Sequence, residues 1–216
     1  MFVFLAALAA LQGLALLVLM ARLAPGRTRR PPVPPLPNGG PVGGLTIILP
    51  AYNEAARIRP CLEGLLQQGP AVERILVVES RSGDGTADVI REFLSRDPRF
   101  ALLHDPPLPD GWVGKAWALQ YGTEQATTPY VLGVDADIVP APGMADAILA
   151  LAQREQFDVL SFSPRFRIPT AGERWLQPAL LTTLVYRTGA AGERQPDPDR
   201  IAANGQCMLF RREVIL

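Results

Sequence analysis

The sequence has little histidine and little cysteine: one histidine, His104, and two cysteines, Cys61 and Cys207, among 216 residues. Neither cysteine belongs to a C-x-x-C pair, and the sequence therefore nearly excludes a zinc site built from Cys and His ligands. Two cysteines also exclude a disulfide-dense secreted scaffold. Neither sign of charge is in excess, because 21 basic residues balance 21 acidic ones. This balance argues against a nucleic-acid-binding protein.

Two phosphate-binding motifs are missing as well. No G-x-G-x-x-G follows the first predicted strand, which disfavours a dinucleotide-binding fold. No G-x-x-x-x-G-K-[ST] is present, which excludes a P-loop NTPase. Lysine is scarce, since Lys115 is the only lysine among the 21 basic residues. A hydrophobic content of 48% with 19% charged residues nevertheless indicates a folded chain.

The N-terminal segment has the composition of a membrane anchor. Residues 1–21 carry no charged side chain, and eleven of them are Leu, Val or Phe. A membrane span takes roughly 20 helical residues, and these side chains favour insertion by roughly 3–7 kcal/mol. A cleaved signal peptide is the alternative, but its apolar region is usually about 7–15 residues long and follows a positive flank. Here the run is longer and the positive charge comes after it, so we predict a retained transmembrane helix over residues 1–23.

The region after this helix predicts its orientation. Four arginines follow the apolar run, namely Arg22, Arg27, Arg29 and Arg30. By the positive-inside rule they place the following chain in the cytoplasm. Residues 24–44 are rich in Arg, Pro and Gly, which is typical of a linker. We therefore expect a single-pass protein of the cell membrane whose soluble domain, residues 45–216, is cytoplasmic.

Beyond residue 45 the pattern alternates strand and helix. Unbroken apolar runs predict strands over 45–49, 74–78, 100–103, 130–134 and 157–162. Helical spacing predicts helices over 53–68, 86–94, 114–126 and 143–154. Strands separated by helices predict an α/β fold with a mostly parallel sheet covered on both faces. Ligands bind such sheets at the carboxyl ends of the strands.

Two aspartates follow the fourth predicted strand. Asp135 and Asp137 can face one hard cation, because Mg²⁺ is commonly held by one or two carboxylates plus substrate phosphates. A chance occurrence is the alternative, since with eleven Asp in 216 residues the expected number of D-x-D patterns from composition alone is about one half. A second D-x-D, Asp197-Pro-Asp199, has no strand before it, and we assign it to chance. Spacing and context leave both interpretations of the first pair open.

Other side chains after strand ends are candidates for binding a nucleotide. Pro50 is predicted to end the first strand, and Asn53 to cap the next helix. Tyr52 could lie against a base, and Glu54 or Glu79 could accept a hydrogen bond from a ribose; a plain capped turn is the alternative. Lys115 suits a point contact to a phosphate, although a surface lysine is usually only solvated.

The order of these segments is more specific than any one of them. Pro50–Glu54, Val77–Thr86, Gly114–Gly122 and Val134–Asp137 together closely resemble the family-2 glycosyltransferases, which have the GT-A fold. The resemblance covers roughly residues 45–212. The segments 111–115 and 204–212 are similar to the membrane-anchored hopene-associated and carotenoid-type branch.

The resemblance implies roles for these residues. Residues implied to bind the nucleotide-sugar are Pro50, Ala51, Tyr52, Glu54, Glu79, Lys115 and Asp135. Asp135 and Asp137 would form the motif for Mg²⁺ or Mn²⁺, with Asp137 the direct ligand. UDP is the default nucleotide. The family favours an Asp-Asp pair where this chain has Glu79-Ser80, which leaves the nucleobase open.

The implied activity is inverting transfer of a sugar from a nucleotide-sugar to a hydroxyl of a lipid or isoprenoid acceptor, hopanoid- or carotenoid-like, at the cytoplasmic membrane face. In the family an Asp or Glu after the segment matching Met208–Arg212 is the catalytic base. Glu213 lies too early for it, so we expect the base beyond Leu216 and the domain to be incomplete at its C-terminus. A nucleotide-sugar-binding fragment without turnover and a nucleotidyltransferase remain as alternatives.

A last segment is ambiguous. Residues 173–187 place apolar side chains at helical spacing between Arg174 and Arg187. A core helix on the sheet and a helix at the bilayer surface, with Trp175 and Tyr186 at the level of the headgroups, both fit this pattern.

Overall fold

The structure is a computed structural model that describes residues 1–37, 39–189 and 203–216. The chain forms two compact units. The α/β unit comprises residues 33–164 and 203–216. The helical unit comprises residues 1–32 and 165–202, of which all but 190–202 are described.

The α/β unit is built on one six-stranded sheet. Its strands are β1 (Leu45–Ala51), β2 (Val72–Glu79), β3 (Phe100–Leu103), β4 (Tyr130–Val134), β5 (Val159–Phe162) and β6 (Cys207–Arg211). They lie in the order β3-β2-β1-β4-β6-β5, with parallel pairing from β3 to β4 and antiparallel pairing of β6 to both β4 and β5. The predicted α/β class with a mostly parallel sheet is confirmed. Strand β6 was not predicted from the sequence.

Helices cover both faces of this sheet, as predicted. They are α2 (Arg59–Leu66), α3 (Thr86–Leu94), α4 (Gly114–Gln125) and α5 (Met144–Glu155). Alternate residues of β1 point to opposite faces: Ile47 and Leu49 pack with α2, α3 and α5, whereas Ile48 packs with α4. All three side chains are fully buried. Burial on both faces explains why the strand reads as a continuous apolar run.

The segment after β1 differs from the prediction. Pro50 does not end the strand, which continues to Ala51. Ser80 donates its backbone N–H to the Ala51 carbonyl (3.0 Å). The backbone polar groups of Ala51 therefore point towards β2, and the backbone nitrogen of Pro50 points towards β4. Pairing with β4 has already stopped at Ile48, and a proline nitrogen is therefore tolerated there.

Asn53 does not cap a helix either. Helix α2 begins at Arg59, with Pro60 in its first turn, where a proline is well suited. Asn53 adopts a positive φ of 54°. Its backbone N–H donates to the Ser82 hydroxyl (2.9 Å) and its side-chain oxygen accepts from the Gly83 N–H (3.1 Å). Residues 53–58 thus form a loop tied to the turn after β2, and not the first turns of a helix.

The helical unit contains α1 (Phe2–Leu23) and α6 (Ala171–Thr188), which pack against each other. Helix α1 has a mean hydropathy of 2.5 over its most apolar window and no buried residue, so its length and composition suit a membrane span. Helix α6 begins with a capping box in which Thr170 and Glu173 each bond the other's backbone N–H. The Tyr186 hydroxyl donates to the Ala15 carbonyl of α1.

Candidate functional site

A cavity of about 500 Å³ opens at the carboxyl ends of the parallel strands. Its size is within the range of ligand sites. Every residue that the sequence predicted for the site lines this cavity except Glu79; those lining it are Pro50, Ala51, Tyr52, Glu54, Lys115, Asp135 and Asp137. The rule that ligands bind past strand ends therefore located the cavity.

The loop after β1 is held by the turn after β2. Glu54 donates its backbone N–H to the Thr86 hydroxyl (2.8 Å), and Ala55 donates to Asp84 Oδ2 (3.0 Å). The Thr86 hydroxyl, with the backbone N–H groups of Ala55 and Thr86, lowers the pKa of Asp84 below its usual value. Because these bonds fix the backbone, the loop presents Tyr52, which is 63% exposed, at the cavity.

Glu79 is turned away from the cavity. Its buried carboxylate accepts the backbone N–H groups of Ser82 (2.5 Å) and Arg81 (3.2 Å) and lies 3.1 Å from His104 Nδ1. These bonds fold the turn after β2 into a shape in which Arg81 has a positive φ of 58°. The turn then brings Ser80 and Arg81 to the cavity wall, two residues that the sequence analysis missed.

The two aspartates after β4 differ in their surroundings. Asp135 Oδ1 lies 2.5 Å from Lys115 Nζ, and the Asp135 side chain is 22% exposed. Its backbone N–H donates to the Gln206 carbonyl of the loop before β6 (2.9 Å). Asp137 is exposed and lines the same cavity. The structure brings Lys115, from the first turn of α4, together with Asp135 and Asp137, which follow β4.

The donor set fits a divalent cation that arrives with its substrate. In the part of the chain that the structure describes, no group of three or more His, Cys, Asp or Glu is placed to hold a metal. Asp135 and Asp137 are the two carboxylates of the cavity that follow β4. Mg²⁺ is commonly bound by one or two carboxylates with waters and substrate phosphates. The second D-x-D, Asp197 and Asp199, lies outside the described residues.

Both cysteines lie buried below this site. The Cys61 thiol donates to the Asp135 carbonyl (3.6 Å). Burial raises the pKa of Cys61 to about 12, helped by the negative charges of Asp137 and Asp135, and burial likewise raises the pKa of Cys207 to about 12. Neither thiol ionises near neutral pH, so neither supplies a thiolate nucleophile.

One carboxylate of the cavity was overlooked by the sequence analysis. Asp105 lies two residues after β3 and lines the cavity together with Ser80 and Arg81. Asp105 has the same sequence signal as Asp135, because both are acidic residues just past a strand end. A proline-rich loop follows it and matched none of the motifs that were sought.

Comparison with known proteins places the chain in a family. The model of glycosyl transferase family 2 matches residues 46–216. The uncharacterized glycosyltransferase YibD of Escherichia coli (strain K12) is 28% identical over 131 residues, which are 61% of this chain and 37% of YibD. The dolichyl-phosphate beta-glucosyltransferase ALG5C of Trichomonas vaginalis is 32% identical over 100 residues, which are 43% of this chain and 28% of that protein.

A solved structure resembles the fold. The mannosyltransferase PcManGT from Pyrobaculum calidifontis, in complex with GDP-Man and Mn²⁺, matches with a TM-score of 0.62 and 25% identity. The match covers 98% of this chain and 56% of that one. The chain thus spans less than two thirds of each of these three proteins. Because the family match includes every residue that lines the cavity, the chain belongs to glycosyl transferase family 2, and its sheet has the GT-A fold.

Proposed function

We propose that the chain is the donor-binding part of an inverting glycosyltransferase, which moves a sugar from a nucleotide-sugar to a hydroxyl of a lipid or isoprenoid acceptor. The observation that carries this proposal is the cavity at the carboxyl edge of the sheet. Residues that line it include Lys115, Asp135 and Asp137 as well as Pro50, Ala51, Tyr52 and Glu54 of the loop after β1. A cationic group beside two carboxylates suits a diphosphate that binds with a divalent cation.

The nucleoside end of the donor would lie against the loop after β1. Pro50, Ala51 and Tyr52 offer backbone and an exposed ring, and Glu54 offers a carboxylate that already pairs with Arg57 (2.9 Å). Glu79 would act on the base and ribose through the turn that it holds, because both of its oxygens already accept hydrogen bonds from that turn. UDP is the proposed nucleotide by default.

The diphosphate would lie at the D-x-D end of the cavity. Asp137 and Asp135 would hold Mg²⁺ or Mn²⁺, and such a cation neutralises charge on a departing nucleoside diphosphate. In the ligand-free protein the Lys115 ammonium pairs with Asp135 (2.5 Å). We infer that this ammonium turns to the phosphates when a cation takes its place on Asp135.

The residue that removes the acceptor proton is not assigned. Glu213 follows β6 with its side chain 78% exposed, 3.9 Å from Arg211, and does not line the cavity. Residues 45–216 would contribute donor binding.

Product analysis tests the reaction class. The full chain is incubated with Mg²⁺ or Mn²⁺ and UDP-glucose, UDP-GlcNAc or GDP-mannose in the presence of a lipid extract. A glycosyltransferase releases a nucleoside diphosphate. In a parallel reaction supplied with a nucleoside triphosphate and a sugar 1-phosphate, formation of a nucleotide-sugar with release of pyrophosphate would instead indicate a nucleotidyltransferase. Binding of the donor without either product would indicate a fragment that lacks turnover.

We further propose that the protein resides in the cell membrane, with α1 as a single span and the α/β unit in the cytoplasm. The uncharged run of residues 1–21 and the four arginines that follow this run support the placement. Helix α6 supports a role at the bilayer: none of its residues is buried, and Trp175, Leu176, Leu180 and Leu184 are between 54% and 85% exposed.

A quenching experiment tests the position of α6. In liposomes containing brominated lipids, we expect lipid to quench Trp175 fluorescence, because a tryptophan at the headgroup level lies within reach of the bromine atoms. Trp175→Phe should remove most of the quenchable emission of the full chain, whereas Trp112→Phe, in the α/β unit, should leave it. Equal quenching in the two variants would contradict a bilayer position for α6.

A further inference from the structure

Asp105 is a buried carboxylate with an unused oxygen. Its side chain is 3% exposed and lines the cavity wall. Oδ2 accepts a hydrogen bond from the Ser80 hydroxyl (3.1 Å), while Oδ1 has no hydrogen-bond partner among the residues that the structure describes. Arg81 Nη2 lies 3.9 Å from Oδ1, beyond hydrogen-bonding distance. Burying a carboxylate oxygen without a donor is costly, so a donor from a ligand would satisfy it.

The surroundings of this oxygen are rigidly built. The Arg81 guanidinium is fixed by two backbone carbonyls, donating from Nη1 to Asp105 (2.5 Å) and from Nη2 to Pro106 (3.3 Å). Its backbone is held at φ 58°, a conformation that a non-glycine residue rarely adopts, by the hydrogen bonds to Glu79. Strain of this kind persists where the surrounding structure over-determines it, often at a ligand site.

The pair of groups has a definite hydrogen-bonding pattern. Asp105 Oδ1 is an acceptor, and the Arg81 guanidinium beside it carries only donors. Uracil and guanine each present a ring N–H next to a carbonyl oxygen, which is the complementary pattern. Cytosine and adenine present a ring nitrogen lone pair next to an amino group. Against Asp105 that lone pair would face a carboxylate oxygen, and a site of this kind discriminates strongly because its buried group stays unpaired.

We propose that Asp105 determines nucleobase specificity by accepting the ring N–H of uracil or guanine, with Arg81 placed to donate to the adjacent carbonyl oxygen. The inference rests on the proposed function, since it concerns the base of the same nucleotide donor. It gives the cavity a base-reading carboxylate after β3, while Glu79 shapes the turn that carries Ser80 and Arg81. The shared feature of the accepted bases is a ring N–H beside a carbonyl group.

The test is calorimetry of the full chain with Mn²⁺ and four nucleotides: UDP, GDP, CDP and ADP. We expect UDP or GDP to bind about tenfold to a hundredfold more tightly than CDP and ADP, the range given by one hydrogen bond to a charged group. Asp105→Asn should reduce this ratio by about tenfold, because a neutral amide no longer repels a ring lone pair. Asp110→Asn, an exposed residue of the same loop, should leave the ratio unchanged.

The outcomes separate the inference from the proposed function. If all four nucleotides bind the wild-type chain equally, the inference is overturned and nucleotide binding stands. The inference is also overturned if Asp105→Asn, with its fold verified by circular dichroism, keeps the full ratio. If none of the four binds in the presence of Mn²⁺, the proposed function fails and the inference falls with it. The ratio of nucleotide affinities is measured on the wild-type chain without any variant. The proposal can therefore be overturned even if Asp105→Asn misfolds.

Discussion

Asp137→Asn is expected to weaken binding of a nucleoside diphosphate in the presence of Mg²⁺ or Mn²⁺ on the order of a hundredfold. The substitution keeps the shape of the side chain and removes one negative charge from the cavity wall. A unit charge about 4 Å away is worth about 4 kcal/mol at an effective dielectric constant of 20, and the exposure of Asp137 to solvent reduces that value. Calorimetry with UDP or GDP measures the change.

The control for this variant is Asp199→Asn, which removes the same charge from the second D-x-D. We expect it to leave the affinity unchanged. A further comparison uses EDTA: without a cation, wild type and Asp137→Asn should bind the nucleotide with similar, weak affinity. Equal losses in the two variants would contradict the assignment of Asp137 as a metal ligand.

Lys115→Gln is expected to have two effects of opposite sign. Binding of the nucleoside diphosphate should weaken about tenfold to a hundredfold, because a charge-assisted contact to phosphate is lost. Binding of Mn²⁺ alone should strengthen, because the ammonium 2.5 Å from Asp135 Oδ1 competes with the cation for that carboxylate. Misfolding would weaken both, so the opposite signs are diagnostic.

Arg91→Gln is the matched control for Lys115→Gln. It removes the same unit of charge from a surface pair with Asp88 on α3, and neither residue of this pair lines the cavity. Both affinities should stay as in the wild type. If Lys115→Gln also leaves the nucleotide affinity unchanged, the lysine is only a surface charge, the alternative that its sequence context allowed.

Much of the α/β unit was predictable because its central strands β1 and β4 are buried on both faces. The runs at Phe100–Leu103 and Tyr130–Val134 were predicted with the bounds that the structure has. Burial on both faces requires an unbroken apolar run, as in Tyr130–Val134, and such a run predicts a strand. The strand β6 was not predicted, although residues 207–210 form an apolar run as long as that of Phe100–Leu103.

The errors in the predicted secondary structure occur where side-chain contacts, and not the hydrophobic periodicity, determine the backbone conformation. Asn53 has the composition of a helix cap, but its contacts with Ser82 and Gly83, 29 and 30 residues away, hold it in a loop. Contacts at that separation leave no local trace in a sequence. The helix therefore starts at Arg59 and not at Asn53.

The candidate site was predicted in position and only partly in detail. A residue after a strand end can be placed at the ligand edge from sequence alone, as Asp135 and Asp137 were. The direction in which its side chain points cannot be predicted from sequence alone. Glu79 shows this, because its carboxylate accepts hydrogen bonds from its own turn and does not line the cavity. Asp105 also follows a strand end, but its contacts with Ser80 and Arg81, which come from another strand end, could not be predicted from the sequence.

The most direct test of the central claim is metal-dependent binding of a nucleoside diphosphate to the full chain. Calorimetry with UDP and with GDP is performed in Mn²⁺ and repeated in EDTA. The account predicts binding of at least one of them in Mn²⁺, one site per chain, and a loss of at least tenfold in affinity in EDTA, because Asp135 and Asp137 repel the diphosphate without a cation. Equal affinity in Mn²⁺ and EDTA, or no binding of either nucleotide in Mn²⁺, would contradict it.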